Sequence, residues 1–146
     1  MRLSTTIPAL PVASVAAAVG CYVEKFGYTC RHRDDEGFAI VVRDDSEIHL
    51  WLAGDGGWRL RQADDLADCP VRTGAEDFLA GTASCRVLVD DVDGLYAELA
   101  AAGVLHPTDR GSPVDTDYGT REFATLDVDG NLITFYRRGL RSPDPG

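Results

Sequence analysis

Lysine is nearly missing from this chain. Lys25 stands alone among 14 basic residues, and the rest are arginine. Bases of either kind are few beside 24 acids, and the formal net charge is −10. A nucleic-acid binder needs a basic face to neutralise phosphates, so that class is excluded. An acidic surface instead steers cations inward, or serves solubility alone. Long apolar runs are also missing. None approaches the roughly 18 residues that a membrane-spanning helix requires. The first residues, Met1-Arg-Leu-Ser-Thr-Thr-Ile-Pro8, carry one base and no apolar stretch behind it. No secretory leader is expected, and a cytoplasmic location is. The four cysteines, Cys21, Cys30, Cys69 and Cys85, form no CxxC pair and show no zinc-ligand spacing. Cys21 and Cys85 lie among apolar neighbours and read as buried small hydrophobes. A Gly-x-Ser-x-Gly elbow and a phosphate-cradling glycine loop are both absent.

What is present is a good core. Apolar residues make up 45% of 146, enough for one domain, or for two small halves sharing an interior. Thr5–Val12 reads as an edge strand, since Pro8 and Pro11 are tolerated there. Ser14 can cap a helix whose apolar stripe is Val15, Val19, Tyr22, Val23 and Phe26, with Gly27 as its stop. Tyr28–Arg33, Phe38–Arg43 and Glu47–Ala53 follow as strands. In the last of these Glu47, His49 and Trp51 share one face. The first half, 5–53, is therefore βαβββ.

The second half, 83–138, repeats the pattern. Ala83–Val89 is a strand, and Asp90-Asp91 opens a helix with stripe Val92, Leu95, Tyr96 and Leu99, closed by Gly103. Val104–Pro107 is a short strand and 109–119 a polar loop. The unit ends in a hairpin, with Arg121–Leu126 and Leu132–Arg137 joined by the turn Asp127-Val-Asp-Gly-Asn131. Val12-x-x-Val15 aligns with Val89-x-x-Val92, and Gly27 with Gly103. Between the halves, 54–82 is a long polar crossover containing Trp58, which either reaches a ligand or pins the loop down. Residues 139–146 read as a flexible tail.

A doubled βαβββ chain with a closing Asp-x-Asp-Gly-Asn turn resembles the vicinal oxygen chelate superfamily. That superfamily comprises glyoxalase I, extradiol dioxygenases, and fosfomycin- and bleomycin-resistance proteins. Phe38-Ala-Ile-Val-Val-Arg-Asp-Asp45, Val87-Leu-Val-Asp-Asp-Val-Asp-Gly-Leu-Tyr96 and Tyr118-Gly-Thr-Arg-Glu-Phe-Ala124 look most like the bleomycin-resistance group. In that group tryptophan is usual where Tyr118 stands. The likeness spans roughly residues 5–138 and implies an α+β fold of two βαβββ repeats forming a concave mixed sheet.

Metal enzymes of the superfamily place His or Glu at cleft-facing strand positions. Here those positions fall on Ile7, His49, Ser84 and Thr134, and only His49 is a strong ligand. Neither a metal nor another cofactor is expected. The resemblance implies a homodimer that sequesters a bleomycin-type glycopeptide, without catalysis, in clefts between subunits. The expected ligand is planar and cationic, and no nucleic acid or membrane partner is expected. Aromatic faces stack on planar heterocycles, and acids such as those of Asp34-Asp-Glu36 attract the charged tail. The candidate ligand-binding residues are Phe38, His49, Trp51, Trp58, Tyr118, Gly119 and Tyr136. Two alternatives stay open. One is an enzyme of the same superfamily, for which Glu122 and His49 could form an acid–base pair. The other is a small-molecule binder with no resistance role.

Overall fold

A computed structural model describes residues 1–34, 37–53 and 79–139. The first unit runs β1 (Ala9–Val12), α1 (Val15–Glu24), β2 (Thr29–Arg33), β3 (Phe38–Arg43) and β4 (Ser46–Leu52). The second runs β5 (Ser84–Leu88), α2 (Val92–Ala102), β6 (Val114–Asp115), β7 (Thr120–Leu126) and β8 (Leu132–Arg138). Each unit forms a four-stranded sheet of the same order, β1-β4-β3-β2 and β5-β8-β7-β6. In each, the first strand runs parallel to the last, and the other pairings are antiparallel. The two repeats read from the sequence are therefore both present, as an α+β fold.

Local chemistry explains the helix limits. Ser14 is extended, and its Oγ accepts the Ala17 N–H at 3.2 Å, filling one orphan donor of α1. Asp91 does the same for Gly94 at 2.9 Å in α2. Gly103, at φ 76, closes α2 in the left-handed conformation, where a side chain would be strained. The last helical residue of α1 is Glu24, and Gly27, at φ 73, then turns the chain away in the left-handed conformation, with the Tyr28 N–H returning to the Tyr22 carbonyl at 2.9 Å. The Lys25 and Phe26 N–H groups both turn back to the Cys21 carbonyl, so the ladder closes before Gly27 is reached.

Two strands differ from expectation. The first is Ala9–Val12 rather than Thr5–Val12. Pro8 still accepts the His49 N–H at 3.0 Å, but it has no N–H with which to continue the ladder. Val104–Pro107 is not a strand and makes only an isolated bridge, Leu105 to Thr125. The edge of β7 is shared. Its C-terminal half bonds to residues 104–106, and its N-terminal half pairs with β6, which lies inside the stretch read as loop.

The helices and the inner sheet faces enclose one apolar cluster. It includes Leu10, Val12, Tyr22, Phe26, Val41, Ile48 and Leu50 from the first unit, and Leu99, Phe123, Ile133 and Phe135 from the second. Cys21 is buried and Cys85 half-buried against it, as small hydrophobes. Aromatic rings carry the packing across, with Tyr22–Phe26 at 5.2 Å, Phe26–Phe135 at 6.4 Å and Phe135–Phe123 at 5.5 Å between centroids.

The 127–131 turn docks on the first unit. The Tyr22 hydroxyl donates to Asp127 at 2.9 Å, Asn131 Nδ2 donates to the Pro11 carbonyl at 2.9 Å, and the Ala13 N–H donates to Asp129 at 3.1 Å. Gly81 presses on the same turn. A Cβ there would collide with the Asp129 carbonyl oxygen, and its φ is 78. Burial and the neighbouring Asp127 push the Tyr22 hydroxyl well above its ordinary ionisation, so it stays a donor.

Candidate functional site

With Ile48 and Leu50 committed to the core, strand alternation turns Glu47, His49 and Trp51 to the outer face of the first sheet. The register places Phe38 opposite Trp51 and Ile40 opposite His49. Phe38 lies 4.3 Å from Trp51, ring to ring, and meets His49 edge-on at 5.2 Å. His32 also reaches Phe38, at 5.8 Å. A bulge between Cys30 and His32 in β2 offsets the register there, so strand alternation alone does not place His32 beside Phe38. Asp34 is used locally and accepts the Phe38 N–H at 3.2 Å. Its neighbours 35 and 36 lie outside the described residues.

Glu47 completes this group. Its carboxylate takes His49 Nε2 at 2.8 Å and Arg31 at 2.6 Å. The hydrogen bonds from His49 and Arg31 hold it below the usual carboxylate range. Glu47 is missing from the residues chosen from the sequence, although its place two positions before His49 on the same strand face could have found it.

The second sheet presents a matching outer face. Tyr136 lies on β8, paired with Leu88 on one side and Glu122 on the other. The Arg86 guanidinium sits 4.7 Å over the Tyr136 ring and bonds Glu122 at 2.5 Å. Glu122 also accepts the Tyr118 hydroxyl at 2.8 Å and the Thr120 hydroxyl at 2.9 Å. Burial alone would raise this carboxyl. The donors Arg86, Tyr118 and Thr120 outweigh burial and lower it. Tyr118 is 64% exposed. Gly119, at φ 85, turns the chain into β7, and its carbonyl accepts the Gly139 N–H at 2.7 Å.

The candidate residues thus form two groups on two sheets. Phe38, His49 and Trp51 make one, and Tyr118, Gly119 and Tyr136 the other. Trp58 lies outside the described residues. Glu122 does not meet His49, so the acid–base pair considered above is not formed. Each carboxylate closes instead on partners of its own sheet face, because the period of two sends Glu47 and His49 outward together. A hollow of about 1070 Å³ between the units has Tyr136 on its wall, beside Glu47 and Arg86, but Phe38, His49, Trp51, Tyr118 and Gly119 do not line it. Six carboxylates and two guanidiniums line it, which favours a cation over an anion. A smaller hollow of about 250 Å³ lies on the second sheet, between Glu122 and Thr134 and the loop around His106.

The donor set does not fit a divalent metal. Ile7 precedes β1, and Ser84 and Thr134 offer neutral hydroxyls. His49 already shares its Nε2 with Glu47. Among the described residues no three of His, Cys, Asp and Glu converge.

The profile described as the Glyoxalase/Bleomycin resistance protein/Dioxygenase superfamily matches residues 5–135. The chain belongs to this superfamily. Within it, the bleomycin resistance protein of Geobacillus stearothermophilus is 45% identical over 133 residues, covering 91% of this chain and 96% of the relative. That of Staphylococcus aureus has the same identity and coverage. Solved structures share the fold. A bleomycin-binding protein from Streptomyces verticillus, complexed with copper(II)-bleomycin, superposes with TM-score 0.66 at 24% identity, covering 96% of this chain and 99% of that one. A lactoylglutathione lyase from Agrobacterium tumefaciens gives 0.68 at 16% identity, covering 94% and 96%. A bleomycin-binding protein and a lyase match this backbone to a similar degree, so the backbone alone does not choose between binding and catalysis.

Proposed function

We propose that this chain binds a bleomycin-type glycopeptide and withholds it from its target without altering it. The carrying observation is the 45% identity, over nearly the full length of both chains, to proteins named for bleomycin resistance. The sites support the reading. Phe38 and Trp51 present a stacking surface for planar rings, and Tyr118 and Tyr136 present another beside a carboxylate. On the second face Leu88, Val114 and Tyr118 are more than half exposed. A homodimer that sets the first face of one copy against the second face of its partner would cover this apolar area and sandwich a flat ligand. Among the described residues no helix is long and apolar enough to cross a membrane. We propose that the activity is cytoplasmic.

Titration with bleomycin, followed by tryptophan emission, tests the reading. Saturable quenching at micromolar drug is expected, with drug of unchanged mass recovered afterwards. Absence of any change at micromolar drug would overturn it. The superfamily's enzymatic alternative would use the Glu47–His49 pair, and a changed mass of the recovered drug would favour that reading. Light scattering is expected to give twice the chain mass.

A further inference from the structure

Arg86 is placed oddly for a residue beside a cation site. It pairs laterally with Thr134, yet its side chain reaches diagonally over Tyr136 to Glu122. A π face, a carboxylate and two further hydroxyls, from Tyr118 and Thr120, are what a planar cation would seek. The chain fills that place with its own guanidinium. The Arg86 side chain is 45% exposed and Glu122 only 17%, so the arginine can swing out while the carboxylate stays in position. We propose that Arg86 is an internal stand-in for the cationic part of the ligand, and that a guest binds the second sheet by displacing it from Tyr136 and Glu122. This rests on the reading above, that the second sheet face receives ligand. It adds a specificity device: only a guest with a delocalised or well-placed positive charge compensates Glu122 once the arginine has left.

The test compares wild type, Arg86→Gln and Arg86→Gln/Glu122→Gln, with benzamidine as a planar cation and benzamide as its neutral counterpart, by calorimetry. An exposed ion pair and a cation–π contact together predict benzamidine binding roughly fivefold to tenfold tighter in Arg86→Gln. The gain should vanish in the double variant and be absent for benzamide throughout. Equal affinity of wild type and Arg86→Gln for benzamidine would overturn the proposal, as would a gain that survives loss of Glu122. Bleomycin titration of the same proteins separates the two ideas. Wild type that binds bleomycin while benzamidine shows no gain leaves sequestration standing and removes the stand-in. A benzamidine gain without bleomycin binding does the reverse. Matching thermal unfolding of the three proteins excludes misfolding as the cause.

Discussion

Tyr118 and Tyr22 show how differently two tyrosines serve this molecule. Tyr118 is largely exposed and holds its place through one hydrogen bond to Glu122. Tyr118→Ala should therefore change stability by no more than about 0.5 kcal/mol, as surface substitutions do. It should also weaken bleomycin binding severalfold. Thermal unfolding and the emission titration check the two halves separately, and a large stability loss would mean the ring is part of the core. Tyr22 is fully buried and donates to Asp127 across the two units. Tyr22→Phe keeps the ring and removes the donor, leaving a buried carboxylate short of one partner. A loss of about 1.5–3 kcal/mol is expected from a hydrogen bond to a charged group, read from the urea midpoint. Ligand affinity should not move.

At the scale of elements, the 127–131 turn does more than reverse the chain. It donates to and accepts from the β1–α1 junction through Asn131 and Asp129, and Gly81 lies against it. Gly81→Ala therefore combines a collision with backbone and a strained φ, whereas Gly103→Ala meets no atom and carries only the strain. Gly103→Ala should cost about 1 kcal/mol. Gly81→Ala should cost more than that, because backbone cannot step aside. Comparing the two midpoints checks the order, and equal losses would mean the crossover end moves freely off the turn. The β7 edge carries a similar lesson. Two short segments share it, so neither Val104–Pro107 nor 109–119 could be read correctly from its own pattern.

For the whole molecule, charge sets a stability window in pH. Glu122 and Glu98 sit below their ordinary value of 4.5 in the folded chain. A lowered acid contributes stability that is complete above its unfolded value and lost as pH falls through the folded one. Stability should therefore decline below about pH 4.5. On the alkaline side, burial pushes the Cys85 thiol from 9.0 up to about 11 and raises the Tyr28 hydroxyl. A raised group contributes fully below its unfolded value and loses that contribution as pH rises through the folded one. Stability should thus fall from about pH 9 upward, and Cys85→Ala should flatten the limb between 9.0 and about 11. Urea midpoints across pH check both limbs, and an alkaline limb unchanged in Cys85→Ala would assign it wholly to the tyrosines.

Alternation and capping are local, so the sequence by itself determined the two βαβββ units, the outward trio Glu47, His49 and Trp51, and the poor donor set for a metal. Ser14 and Asp91 announced their helices because a cap acts within three residues. Cross-strand register and docking between units are not local. They decided that Glu47 rather than Glu122 meets His49, that His32 leans on Phe38, and that Arg86 lies over Tyr136. Those contacts depend on which strands become neighbours. Burial of two distant apolar faces around one core makes that choice, and no single stretch of the chain carries it.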